Sequence, residues 1–67
     1  MKEVKSSNIS HIGWKDGVLS VKFKTGDKVY DYPGVTEAEH RSFVEADSIG
    51  GHFAQHIKGR DFTKREA

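Results

Sequence analysis

The segment KGRDFTKREA, residues 58–67, interleaves Lys58, Arg60, Lys64 and Arg65 with one aromatic, Phe62. Cations around a single π-face are the composition of a segment that contacts phosphates, the charged groups meeting the oxygens and the ring meeting a base. His56, just upstream, is placed to join the same anion site. The alternative is a solvated chain end, in which Lys58 and Arg60 answer the last carbonyls of a helix for a few tenths to about 1 kcal/mol each. Lys22 and Lys24, two apart on a strand, offer a secondary phosphate contact.

Two further constellations carry chemistry. In KVYDYPG, residues 28–34, Tyr30 and Tyr32 stand one residue apart and share a strand face. With Phe62 they could stack on bases, at about 1–3 kcal/mol per base. On a core-facing strand they instead pack their rings and leave their hydroxyls at the rim. His52 and His56 are four apart on the predicted helix, a zinc-chelating spacing, but HFAQH lacks the metalloprotease Glu and only His40 or His11 offers a third ligand. No metal and no cofactor are expected; the pair reads as a polar helix edge or a hydrogen-bonded pair beside the core. Ser6, Ser7, the histidines and the acids supply the residue types of a Ser-His-Asp arrangement, yet no nucleophile elbow, phosphate-binding glycine loop or carboxylate pair accompanies them. The expectation is a protein that is not an enzyme.

A chain of 67 residues makes one domain, 1–67, and hides only about 60% of its unfolded surface, so little pocket is available to enclose chemistry. With no cysteine there is no disulfide framework, thiolate metal site or Cys nucleophile. MKEVKSS lacks the apolar run of a signal peptide and nothing approaches the ~18 apolar residues of a membrane span, so a soluble, cytoplasmic protein is expected. The net charge of +1 divides into +2 for residues 1–34, −3 for 35–57 and +2 for 58–67. A basic first half and tail around an acidic middle allow an anionic ligand on one side.

The elements that must position these groups are legible from turns and periodicity. Asp16-Gly17 between apolar residues predicts a type I′ turn that sets Lys15 opposite Val18, Trp14 opposite Leu19 and Ile12 opposite Val21. Leu19, Val21 and Phe23 then alternate with Ser20, Lys22 and Lys24, one face buried and one wet. A two-residue Gly26-Asp27 loop pairs Phe23 with Tyr30 and Val21 with Tyr32, which brings both tyrosines to the apolar face and sets Lys22 between His11 and Asp31. Pro33-Gly34 ends the sheet. Thr36-Glu37-Ala38-Glu39 is a capping box that opens a helix with a thin apolar face of His40, Phe43 and Val44, stopping near Asp47. A second helix, capped by Asp47 or Ser48, carries Ile49, Phe53 and Ile57 and stops at Gly59, with Gly50 and Gly51 implying a close approach of another backbone. Phe62 is expected to dock and the last residues to fray.

This order of motifs resembles the KTSC domain family, found at the C-terminus of some lysyl-tRNA synthetases and as stand-alone small proteins. The resemblance rests on SSNI (Ser6 to Ile9), IGW (Ile12 to Trp14), LSVKFKTG (Leu19 to Gly26), Tyr30-x-Tyr32 and SIGGHFAQHIKG (Ser48 to Gly59), covering about residues 6–62. The chain departs from the family in having Trp14 where members often carry Tyr, and Ala54-Gln55 where an Asn commonly precedes His-Ile-Lys. The resemblance implies RNA as a ligand class through the synthetase context and carries no mechanism with it.

The resulting expectation is an α+β domain, a three-stranded antiparallel meander followed by two helices packed on one sheet face. Its function would be non-catalytic binding of RNA or another nucleic acid by Lys58, Arg60, Lys64, Arg65 and His56, with Lys22 and Lys24 in support and Tyr30, Tyr32 and Phe62 as stacking candidates. The alternative is a protein interaction module for a bacterial or phage-encoded partner, or self-association, through Trp14, Phe62 and the two histidines.

Overall fold

The computed structural model describes residues 1–66. Strands β1 (Lys2–Glu3), β2 (Ile9–Lys15), β3 (Val18–Phe23) and β4 (Lys28–Pro33) are followed by α1 (Glu37–Val44), α2 (Ile49–His52), a π-helical segment (Phe53–Ile57) and β5 (Thr63–Glu66). The fold is α+β with helices on one face of an antiparallel sheet, but the sheet has five strands in the order β1-β2-β3-β4-β5 rather than three. Both additions lie at edges. A two-residue strand has no period to read, and TKRE contains no apolar residue, so neither end announces itself by alternation. Thr63–Glu66, expected to fray, are instead tied along β4, and Ala67 lies outside the described residues.

The β2–β3 hairpin forms as its turn chemistry demands. Asp16 (φ 52°) and Gly17 (φ 81°) both take the positive φ of a type I′ turn, and Trp14 faces Leu19 while Ile12 faces Val21. At the far end one extra residue, Ser10, interrupts the register between Ile9 and His11. This bulge turns Ile9 onto the same buried face as Ile12.

The β3–β4 register differs from expectation by two residues: Val21 faces Tyr30 and Leu19 faces Tyr32. The connection is a four-residue loop, 24–27, with Gly26 at positive φ (95°), and pairing stops at Lys22–Val29 instead of closing on a two-residue Gly26-Asp27 turn. Because the shift is even, both tyrosines keep the core-facing side. Asp31, however, lands opposite Ser20, and Lys22 lies between His11 and Val29 rather than between His11 and Asp31.

The capping box of α1 is complete: the Glu39 amide donates to Thr36 Oγ1 (3.1 Å) and the Thr36 amide donates to Glu39 Oε1 (3.0 Å). Ser48, not Asp47, caps α2, its Oγ accepting from the Gly51 amide at 3.1 Å. The glycine pair owes more to this cap than to a neighbouring backbone, since a Cβ on Gly51 would lie 3.0 Å from the Ser48 hydroxyl. The second half of the helix widens to i→i+5 bonding, with the Lys58 amide donating to the Phe53 carbonyl at 2.8 Å, and Gly59 (φ 98°) ends it. Ile9, Ile12, Leu19, Val21, Tyr32, Val35, Phe43, Ile49 and Ile57 form the core between sheet and helices.

Candidate functional site

Strand alternation divides the basic tail. In β5 Lys64 stands opposite Tyr30, on the core-facing side, while its neighbour Arg65 stands opposite Val29 on the outer side. Four cations close in sequence therefore do not make one patch. The Lys64 ammonium sits 5.8 Å from the centroid of the Tyr30 ring, within cation–π reach. Arg65 Nε donates to Asp31 Oδ2 at 2.6 Å, and Ser20 Oγ donates to Asp31 Oδ1 at 2.6 Å. Burial works to raise the Asp31 pKa, but the hydrogen bonds from Arg65 and Ser20 and the Arg65 charge outweigh it, so this carboxyl lies below the usual value.

Arg60 is also engaged internally. Its Nη1 donates to Glu39 Oε2 (3.1 Å) and its Nη2 to the Gly34 carbonyl (3.4 Å), tying the segment after the helix back to the α1 cap. The Glu39 carboxylate is held below its ordinary pKa first by the Thr36 amide, then by Arg60. Lys28 pairs with Glu66 across β4–β5. Among the described residues Lys58 enters no ion pair and is exposed, as is His56. Of the tail cations, then, the two lysines rather than the two arginines remain available to an incoming anion.

The aromatic residues close a circuit beside Lys64. Ring centroids of Phe23 and Tyr30, Tyr30 and Phe62, and Phe23 and Phe53 are each 5.3 Å apart, with Tyr32 joining Phe62 at 5.6 Å and Phe53 at 6.0 Å. Tyr32 is core, 3% exposed, and burial, followed by the nearby Tyr30, raises its phenol pKa. Tyr30, Phe23 and Phe53 are half-buried, and Phe62, at 47%, is the open ring. The two tyrosines thus divide between core and rim. Phe23 and Phe53 belong to this rim too, although alternation and helical spacing mark each only as a core residue; their meeting depends on how the helix lies across the sheet.

On the outer face the register aligns Glu3, His11, Lys22, Val29 and Arg65 across five strands, with Gly13, Ser20, Asp31 and Thr63 in the next row. Lys22 and Arg65 flank the buried Val29; Asp31 pairs with Arg65, and Glu3 stands two strands from Lys22. Lys24 follows β3 in the loop, its amide donating to the Asn8 carbonyl at 2.8 Å. This face is mixed rather than basic.

His52 and His56 line a hollow against α1 with Ala38, Glu39 and Ser42, and Phe43, stacked on His52, lies 6.4 Å from Phe53 of the aromatic rim. His52 and His56 have ring centroids 4.5 Å apart, and His52 stacks on Phe43 at 5.4 Å. Burial lowers the His52 pKa, and the charge of His56 lowers it further. Among the described residues no group of three or more His, Asp or Glu is arranged to hold a metal ion. Trp14 donates from Nε1 to the Val35 carbonyl (2.7 Å) and stacks on His40 at 6.2 Å, where burial lowers the imidazole pKa against the pull of Glu37. Beside it runs a groove of about 860 Å³ whose lining includes Met1, Ile12, Trp14, Val44, Asp47 and Ile49. No helix is long and apolar enough to cross a membrane among the described residues.

The model of the KTSC domain family matches residues 5–62 of the chain. The crystal structure of a KTSC domain protein from Yersinia pestis is similar, with a TM-score of 0.80 and 38% sequence identity over 98% of this chain and 93% of that one. A search of curated proteins finds no match.

Proposed function

The chain belongs to the KTSC domain family, and on that premise we propose that it is a small non-catalytic binding module that takes RNA or another nucleic acid at the β4–β5 edge. The observation that carries this reading is the placement of the Lys64 ammonium over Tyr30 beside the open ring of Phe62. A cation for phosphate next to a π-face for a base is the minimal equipment of such a surface. Lys58, emerging unpaired from the helical segment, is the second phosphate contact, with His56 near it in sequence and Lys24 and Lys22 reached only by a longer ligand. Arg60 and Arg65 support the fold more than the ligand, because each already has a carboxylate partner.

The test is binding of an RNA oligonucleotide by the Lys58→Ala/Lys64→Ala variant across a salt series. Loss of two phosphate contacts should lower affinity and reduce the slope of log K against log salt by about 1.4 for a single strand, at about 0.7 per contact. An unchanged slope would remove these lysines from the interface. Arg60→Ala and Arg65→Ala should alter stability more than binding.

One observation favours a second reading, a module that docks a protein partner. The groove beside Trp14 combines the apolar Met1, Val4, Ile12, Val44 and Ile49 with charged residues such as Lys2 and Asp47, and lies at the opposite end of the sheet from the β4–β5 edge. Salt-insensitive binding of a partner that is blocked by bulk at Val44, with no response to RNA, would replace the nucleic-acid reading.

A further inference from the structure

The β4–β5 edge differs from a surface built for a double helix in two respects. Its ring stands open at the end of the aromatic circuit, since Phe62 is 47% exposed while Tyr30 and Tyr32 contact it at tilted angles from 5.3 and 5.6 Å. Its charge is sparse, since β5 alternation sends Lys64 and Arg65 to opposite sides and Arg65 is held by Asp31. The outer sheet face, which spans all five strands, mixes Lys15, Lys22 and Arg65 with Glu3 and Asp31.

A duplex keeps its bases stacked inside and offers a protein mainly backbone and groove edges, so affinity for it must come from a continuous run of cations or from groove contacts. An unpaired nucleotide can swing its base out onto an aromatic ring while its own phosphate meets a neighbouring cation. The molecule supplies the second set of partners and not the first. Resting on the nucleic-acid reading above, we propose that the ligand is single-stranded, with one unpaired base stacked on Phe62 and the adjoining phosphate held by Lys64. Tyr30 is the positioning residue: its ring is edge-on to Phe23 at 87° and tilted 48° to Phe62, and it carries the Lys64 ammonium on its face. Stacking of this kind accepts any base, so the preference is for unpaired strands rather than for a sequence.

Fluorescence anisotropy with a labelled uridine-rich single strand and with a blunt RNA duplex of equal length, at low and physiological salt, tests this directly. Phe62→Leu keeps apolar cover over Tyr30 and Tyr32 while removing the π-face, and a thermal melt checks that its fold is retained. The single strand should bind more tightly than the duplex, and Phe62→Leu should weaken it by about 5- to 150-fold, the range of one base–aromatic stack. Phe62→Trp should restore binding, a recovery that a merely structural role for Phe62 would not produce. Equal affinity for both probes, or full affinity in Phe62→Leu, overturns the single-strand assignment and leaves nucleic-acid binding standing. Absence of binding by both probes at low salt overturns the nucleic-acid reading and this inference with it.

Discussion

The β2–β3 hairpin and the β4–β5 pair are both antiparallel ribbons of one sheet, yet they are held by different means. The first is closed by a two-residue turn whose residues take the φ values that the turn requires, and its facing side chains Ile12, Leu19 and Val21 are 0–1% exposed. The second joins segments separated by the whole helical region, and its side chains in β5 are exposed throughout. Local turn chemistry and burial hold the hairpin. The edge shares the backbone ladder of the sheet and adds only surface side-chain contacts to it: Lys28 with Glu66, Arg65 with Asp31, Phe62 with two tyrosines. An edge held this way contributes modestly to stability and leaves polar and aromatic groups facing out, which is the condition for binding.

The contrast is most readily broken by comparing one residue from each region. Leu19→Ala removes a fully buried side chain from the centre of the hairpin and should cost about 2–5 kcal/mol in chemical denaturation. Phe62→Leu should cost well under half of that, because the wild-type ring is already 47% exposed. Comparable losses would make Phe62 part of the core and withdraw it as a platform. A denaturant series with both variants, at constant m-value, decides between these outcomes.

Trp14→Phe gives an intermediate effect that tests the hairpin's link to the helices. The indole donates to the Val35 carbonyl at 2.7 Å, just before the α1 cap, and stacks on His40. Phe retains a ring in the groove and loses the donor. The expected loss is about 0.5–1.5 kcal/mol for the hydrogen bond, read as a lower denaturation midpoint. A neutral result would mean that the Val35 carbonyl finds water at no cost, and that the hairpin is joined to α1 by packing alone.

These differences also explain what could be read from the sequence. Asp16-Gly17 and the Thr36 to Glu39 box act over a few residues, so the hairpin register and the helix start follow from them directly. The β3–β4 register does not, because TGDK is compatible with more than one loop length and an even shift leaves every face unchanged. The site was legible only as composition. Lys64 and Arg65 look like one cluster until β5 pairs with β4 and alternation separates them, and the carboxylates that neutralise Arg60 and Arg65 lie more than twenty residues away in the chain. Phe23 and Phe53 likewise meet only through the packing of the helix on the sheet.

The smallest expected effect tests the claim that Arg65 belongs to the fold rather than to the ligand. Asp31 accepts hydrogen bonds from Arg65 and Ser20, and its folded pKa lies below the unfolded value of about 3.9. A depressed carboxylate binds fewer protons folded than unfolded, so its stabilisation is present above the unfolded pKa and is lost as pH falls through the folded one. Arg65 is about half exposed, which keeps the pair within the 0–1 kcal/mol usual for surface ion pairs. Asp31→Asn should therefore lower stability slightly at neutral pH, converge with wild type in strong acid, and flatten the acid limb between. It should also release Arg65. If Arg65 is ligand-neutral only because Asp31 holds it, RNA affinity in Asp31→Asn should rise and its salt dependence steepen, by about 0.7 in slope for one added phosphate contact on a single strand. Unchanged binding in that variant would mean that the outer face takes no part even when its charge is freed, confining the interface to the side of the edge that carries Lys64 and Phe62.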